Sequence, residues 1–437
     1  MRRLLLLAIL LTGCVWTYAQ KNDTIVSKTH VKQNIRNWNR YDPERGFFQK
    51  AFTDKGDPRF MITNEDETFS FGVGGVVHVI SFYDFNGSLN NKDFSTWNIP
   101  VPTYFTPQYG MTMGSTKINF KAKSKLGKHN LIAFVSFNTP SSEDRIKLRH
   151  AYISWGDFTI GKTYSFFMDL AAGPMTVDLQ GPNTQISISS PLLGYMHSFG
   201  NWTLAAALEM PSYKVPEATP TGVGLNEFGI YDEFQSTPDL SAHVNYKGKF
   251  GHLQAGFLFR KLHYWAGNHP DYTKSETRVC NGFGVSLSGL VNITPKLFFT
   301  FQGIYGEGVA NYLNDFSDAG VDLVLNKTYT DGSDMSSMMA LPTYGGYGSF
   351  QYDWNKKFSS AVVFGMTGAA HVNDVYKQYY SFRFSQYGAM NLFYNINDYC
   401  TCGIEFLRGH RRNFALDLDA ACGGVANRLN IMFSYTF

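Results

Sequence analysis

The chain closes on Leu429-Asn430-Ile431-Met432-Phe433-Ser434-Tyr435-Thr436-Phe437. Leu429, Ile431, Phe433, Tyr435 and Phe437 fall on one face, and Asn430, Met432, Ser434 and Thr436 on the other. Successive side chains of a β-strand point to opposite sides, so this period of two marks a strand with one greasy and one wet face. Thr116 to Lys123 repeats the pattern, with Ile118, Phe120 and Ala122 opposed to Lys117, Asn119, Lys121 and Lys123. Such a strand suits a β-sandwich as well as a barrel. The number of strands and the lengths of their connections separate the two.

Working outward from these stretches, strands are predicted at 69–83, 114–123, 129–137, 146–155, 157–166, 185–196, 199–209, 238–247, 250–263, 278–291, 295–306, 343–353, 357–368, 386–396, 399–409 and 425–437. The chain is therefore all-β with about 16 strands, most of them reaching the 9–11 residues a tilted strand needs to cross a bilayer. A count of 14 or 18 fits if 369–396 is divided differently. The connections alternate in length. Short ones fall at Ser124 to Lys128, Gly156, His197-Ser198, Gly248-Lys249, Asn292-Ile293-Thr294, Trp354-Asn355-Lys356 and Asn397-Asp398, and long ones at 84–113, 138–145, 167–184, 210–237, 264–277, 307–342, 369–385 and 410–424. Short turns on one side, long loops on the other and an even strand number describe a transmembrane antiparallel β-barrel of the bacterial outer membrane, here residues 69–437. Lipid cannot hydrogen-bond an open sheet edge, so the last strand must join the first. Trp155, Phe158, Trp354, Tyr83 and Phe85 sit where interfacial aromatic girdles belong. A soluble sandwich leaves the terminal Phe437 unexplained, whereas a C-terminal aromatic strand is the kind of signal outer-membrane assembly reads.

Of 437 residues, 17% are charged, below the roughly 25% of soluble domains, and 16% are aromatic. Lys and Arg total 38 against 35 Asp and Glu, a balance of +3 far from that of a nucleic-acid binder. The N-terminus reads as an export signal: basic Arg2-Arg3, an apolar Leu4 to Leu11, and a Thr17-Tyr18-Ala19 cleavage site, giving a signal peptide over 1–19. Leu11-Thr12-Gly13-Cys14 alternatively offers Cys14 for lipidation. Residues 20–68 do not alternate and are expected to form a periplasmic extension or an irregular lumen segment.

Arg149-His150-Ala151-Tyr152-Ile153, Ile160-Gly161-Lys162-Thr163-Tyr164-Ser165-Phe166-Phe167-Met168-Asp169, Pro174-Met175-Thr176-Val177-Asp178 and Gly181-Pro182 follow one another in an order that resembles the DcaP-like outer-membrane porins. The resemblance covers 149–188, with a looser echo from about 386 to the end. It implies a trimer of 16-stranded barrels whose third extracellular loop folds into the pore. Where that family would carry basic residues soon after the Gly-Pro, this chain has Gln185 to Ser190.

The residues themselves single out the same loop. The 167–184 loop is compact and polar enough to enter a wet lumen, and it carries Asp169 and Asp178. Lys117, Lys121, Lys147 and Arg149 lie opposite apolar neighbours on their strands, so they are expected at a pore constriction facing those two carboxylates. Lys123 is a candidate for the periplasmic rim. Cys280, Cys400, Cys402 and Cys422 suggest packing rather than a metal site, and no disulfide pairing is predicted. Asp315, Asp318 and Asp322 lack the spacing of a calcium loop. No catalytic motif or cofactor-binding fingerprint stands out. The expected role is passive diffusion of small hydrophilic solutes, with a weak anion or dicarboxylate preference. Outer-membrane lipid and lipopolysaccharide are the expected surroundings and a homotrimer the expected assembly. The alternative is a surface receptor or adhesin using the 210–237 and 307–342 loops.

Overall fold

The computed structural model describes residues 60–437 apart from 65–67, 88–91, 105, 140–144, 212–214, 268–275, 318, 329–336 and 415–421. The expected signal peptide, Cys14 and most of the 20–68 segment lie outside the described residues, as does Asp318.

A nineteen-stranded antiparallel sheet contains the wall of a closed barrel of 16 strands. These are β1 (Phe69–Asn86), β2 (Lys117–Leu126), β3 (His129–Asn138), β4 (Lys147–Trp155), β5 (Phe158–Tyr164), β6 (Ser189–Phe199), β7 (Trp202–Glu209) and β8 (Asp239–Gly248). The second half runs β9 (Gly251–Ala266), β10 (Glu276–Asn292), β11 (Leu297–Glu307), β12 (Pro342–Asp353), β13 (Phe358–Ala369), β14 (Phe382–Asn395), β15 (Cys400–Asn413) and β16 (Gly423–Thr436). Each pairs with the next in chain order, and β16 returns to β1 from Val76 opposite Thr436 to Asn86 opposite Asn427. Every strand read from the alternation is present. Three short strands are added: Phe60–Thr63 along β1, Gln108–Thr112 along its upper half, and Ile230–Phe234 beside β9. The first lies within the segment expected to be irregular.

One end of the barrel is made of tight turns. Gly127, Gly156 and Gly200 open two-residue hairpins with φ of +64°, +58° and +56°, a backbone that glycine adopts without the cost a Cβ would impose. Burial is inverted relative to a soluble protein. Leu193, Tyr195, Phe257, Leu287, Phe350, Phe364, Ile431 and Phe433 are exposed on the outer face. Asn245, Gln254, Ser288, Gln302, Gln351, Asn391 and Asn430 are buried on the inner one. Rings cluster at the tight-turn end, including Phe158 against Tyr195 at 4.9 Å and Trp202 against Tyr246 at 4.7 Å. An apolar outer belt edged by aromatics is what a bilayer requires of a barrel.

The long-loop end is filled rather than open. A buried apolar cluster joins Phe167 and Met168, Leu225 and Ile230, Tyr312 to Phe316, Leu323 to Leu325, Tyr376 and Tyr380 to the inward Leu258, Leu262 and Phe382. Several long loops therefore turn inward.

The seam predicts how the barrel forms. Phe437 donates its N–H to Gly75 O at 3.0 Å and accepts from Gly75 N at 2.9 Å. Deleting Phe437 removes two seam hydrogen bonds worth about 1 kcal/mol each and the last outer aromatic. A lower yield of heat-modifiable barrel is expected on gels; wild-type assembly of the truncated chain would contradict it. Gly75→Val should act in the same direction, because a side chain there overlaps the Lys117 carbonyl and the Phe437 ring.

Candidate functional site

Strand β5 stops at Tyr164 and β6 begins at Ser189, so residues 165–188 form the third long loop, L3. It enters the barrel and is held to the wall strand by strand. At its root the Glu209 carboxylate of β7 accepts from Phe166 N at 2.8 Å and from the Ser165 hydroxyl at 3.1 Å. Further along, Gln254 of β9 donates to Met168 O at 3.2 Å and the Tyr347 hydroxyl of β12 to Ala172 O at 3.3 Å. At its tip, Glu405 of β15 accepts from Val177 N at 2.9 Å and Asp178 N at 2.6 Å, while Asn391 of β14 donates to Met175 O at 2.8 Å. On the return, Gln302 of β11 donates to Thr184 O at 2.7 Å. Gly181 turns the chain with φ of +78°, a left-handed backbone that a residue with a Cβ adopts only with strain.

Both loop carboxylates expected at the constriction are on this loop, and both face the wall rather than open water. Asp169 accepts from His252 Nε2 at 2.8 Å and from the Ser288 hydroxyl at 2.7 Å, and also caps a 3₁₀ turn through Ala171 N. Burial alone would raise its pKa, yet His252 and Ser288 hold the carboxyl below the usual carboxylate range. Asp178 accepts from the Tyr387 hydroxyl at 3.1 Å. Burial, with the neighbouring Glu405 and Asp93 carboxylates, pushes Asp178 well above that range.

The basic residues lie on the other side. Lys117, Lys121 and Lys123 share the inner face of β2, with Lys121 paired across to Phe134 and buried. Lys147 stands at the long-loop end of β4 and is exposed. Arg149 has no partner residue on β3: His150 lies opposite Ser136 and Leu148 opposite Phe137, which leaves a one-residue bulge at Arg149. From there its Nε donates to the Tyr164 hydroxyl at 3.1 Å at the root of L3. Thus Arg149 meets the loop's root, while Asp169 and Asp178 are held by His252, Ser288 and Tyr387 and not by the lysines.

Two further inward loops were not foreseen. In L1, residues 92–104, Phe94 and Ile99 pack on Tyr387, Leu407 and Ala426. In L6, residues 308–341, Asp315 accepts from Thr96 N at 2.8 Å and Trp97 N at 3.1 Å, and from the Thr96 hydroxyl. Asp322 pairs with Arg260, so these two aspartates are buried anchors and do not converge on a cation. Among the described residues no group of three or more His, Cys, Asp or Glu is placed to hold a metal ion, and Cys280, Cys400, Cys402 and Cys422 form no disulfide. The sequence signals were present but quiet: lone carboxylates among apolar neighbours in β15 (Ile404-Glu405-Phe406), and apolar runs inside a loop (Leu323-Val324-Leu325, Met338 to Leu341).

Comparison with known proteins agrees with this geometry. A family profile described as a porin subfamily matches residues 78–395. Among solved structures, the outer membrane channel DcaP of Acinetobacter baumannii is similar in fold, with a TM-score of 0.68, 17% identity, and coverage of 86% of this chain and 99% of that one. The OmpT outer membrane protein of Vibrio cholerae superposes with a TM-score of 0.51 at 10% identity over 86% of this chain and 100% of its own. An anion-selective porin from Comamonas acidovorans gives 0.51 at 9% over 84% and 100%. No curated protein sequence matches the chain.

Two outcomes follow for the loops. Glu405→Ala leaves the Val177 and Asp178 amides without their acceptor, at about 1–3 kcal/mol each, so hydrogen exchange at 175–180 should accelerate while the barrel strands stay protected. For Asp315, burial outweighs three donors and pushes the carboxyl up from 3.8 to about 6. Because the folded value lies above the unfolded one, the L1–L6 contact is strongest below pH 4 and weakens as pH rises through 6, by up to about 3 kcal/mol. Protection of the Thr96 and Trp97 amides, corrected for intrinsic exchange, should fall over that window and become flat in Asp315→Asn.

Proposed function

The chain belongs to the porin subfamily, and from that premise we propose that it gives passive diffusion of small hydrophilic solutes, with a weak preference for anions and dicarboxylates. It is an outer-membrane channel protein; what the proposal adds is the character of the path. A barrel of this strand number encloses an aqueous lumen unless loops fill it.

The observation that carries the reading is the distribution of charge around the wall. The hydrogen bonds of L3 to the wall fix it to β7 through β15, while L1 covers the inner side of β14 to β16. The side left to a solute is bounded mainly by β2 to β5, because L3 also packs on Ile80 of β1 through Val177 and on Leu192 and Met196 of β6 through Phe166. Strands β1 to β6 carry His78, Lys117, Lys121, Lys123, Lys125, His129, Lys147, Arg149, His150, Lys162 and His197, and their one acidic residue is Asp84. That carboxylate is neutralised by Arg428 of β16, with Nε to Oδ1 at 2.6 Å and Nη2 to Oδ2 at 2.9 Å. Permeating ions respond to the local field at the narrowest point, not to the net charge of the chain. Lys117, Lys121, Lys147 and Arg149 supply that field, and Asp169 and Asp178 fix the loop opposite. The functional unit is the homotrimer implied by the family resemblance, embedded in outer-membrane lipid and lipopolysaccharide.

Single-channel recording in planar bilayers tests this. In a salt gradient the reversal potential should indicate a weak anion preference, stronger near 0.1 M salt, where the Debye length is about 10 Å, than near 1 M, where it is about 3 Å. Replacing Lys121 and Arg149 together with Gln should move it toward cations. Replacing Asp169 and Asp178 with Asn should move it less, because the Asp169 charge is already met by His252 and Ser288 and Asp178 is pressed toward its neutral form by burial. An unchanged reversal potential in the Lys121/Arg149 double variant would remove these residues from the constriction.

A further inference from the structure

We propose that residues 308–317 and 319–325 of L6 form a second layer of the constriction above L3, and that Arg260 is the residue that positions it. The inference rests on the channel reading and adds a loop to it.

Arg260 stands on the inner face of β9 and is 0% exposed. Its guanidinium grips both legs of the loop. Nη1 donates to Gly308 O, where L6 leaves β11, and to Asp322 Oδ2 at 2.8 Å on the returning leg. Nε donates to Asp239 Oδ2 on β8 at 2.8 Å, which ties the whole assembly to the wall. The other Asp322 oxygen accepts from Asn311 N at 2.9 Å and so closes the turn between the two legs. Tyr312 completes the joint: its ring lies 5.1 Å from the guanidinium carbon and its hydroxyl donates to Asp239 at 3.1 Å.

What this joint positions is a strip of chain lying on L3. Leu313 bridges Ile186 in antiparallel fashion. Ser187 N donates to Tyr312 O at 2.9 Å and Asn314 N to Gln185 O at 3.0 Å. Beyond it Asp315 holds L1, and Phe316 packs on Trp97 at 5.1 Å and Phe382 at 5.3 Å. The strip thus runs from the β9 side to the β14 side of the lumen, one layer nearer the long-loop end than L3.

A solvated surface loop needs no buried charge to hold it. Taking a guanidinium and two carboxylates out of water is costly, and removing one partner leaves an uncompensated charge, so such a triad is tolerated where its geometry fixes a position. Arg260 touches no solute. It is a positioning residue: Tyr312 and Leu313, which it holds, are fully buried, and the half-buried Asn314 is the part of the strip nearest the path.

Single-channel recording of the full-length protein tests this, with heat-modifiability confirming that each barrel has folded. Asp322→Asn and Tyr312→Ala should raise conductance on the order of twofold, because conductance follows the open section at the constriction, whereas Asp322→Glu should stay near wild type. In Asn314→Cys, a charged methanethiosulfonate reagent should lower the conductance. Wild-type protein treated alike, with its own cysteines, should not respond. Unchanged conductance in Asp322→Asn and Tyr312→Ala, or no effect of the reagent at Asn314→Cys, overturns the second layer. If Asp322→Asn does not fold, the thiol experiment decides alone. A wild-type protein that conducts no current would instead refute the channel reading itself.

Discussion

Backbone N–H and C=O groups that sit in hydrocarbon must be paired within the protein, because lipid offers them nothing. The rest of this molecule depends on how that requirement is met at β1. Its upper half is paired with β16 on one edge and with Gln108–Thr112 on the other, and its lower half with β2. Strand β16 ends at Thr436 opposite Val76, so the β1 residues below that point would face lipid or water unpaired. Phe60–Thr63 fills that gap, with Phe60 opposite Val73 and Thr63 opposite Ser70, and Phe437 bonds to Gly75 between the two partners. Closure therefore uses residues from both ends of the described chain.

Once the wall is closed, everything polar on its inner face must find water or a partner. Part of it finds loops. Glu209 and Glu405 on the wall, and Asp169 and Asp315 on the loops themselves, each accept from a backbone N–H of a loop, in every case together with a side-chain hydroxyl, amide or imidazole. A carboxylate accepting several donors is a stronger receptor than a neutral group. This explains why long, Gly- and Pro-containing loops hold one arrangement inside the barrel. It also divides the interior: wall carboxylates that accept from loops, such as Glu209 and Glu405, lie on β7 to β15, and the lysines Lys117, Lys121, Lys123 and Lys147 lie on β2 and β4.

Alternation made the wall legible from the sequence, because period two is a local property and a strand in lipid must keep it along its length. L3 was legible too, through the motifs around Tyr164 to Asp178. Loop docking was not. Each docking contact joins residues far apart in the chain, such as Thr96 with Asp315, Arg260 with Asp322, or Val177 with Glu405, and nothing local at either partner announces the other. Arg149 shows the limit of counting even within a strand. Counted from Leu148 it belongs inside, and counted back from Ile153 through Ala151 it belongs outside. The bulge at this residue resolves the conflict by letting the register slip once, and the side chain reaches Tyr164.

That division of the interior also decides how charge acts on a solute. Opposed rows of lysine and aspartate across a lumen would create a strong transverse field, but only if both rows faced the water. Here the Asp169 charge is met at 2.8 Å by His252 and at 2.7 Å by Ser288. Asp178 is pressed toward its neutral form by burial and by the Glu405 and Asp93 carboxylates beside it. A carboxylate compensated at hydrogen-bond distance, or protonated, projects little field beyond its donors, whereas the β2 lysines share a strand with no acid among them. In the proposed path the net field is then set by one wall. Its range is the Debye length, so its effect on a permeating ion is weak at high salt.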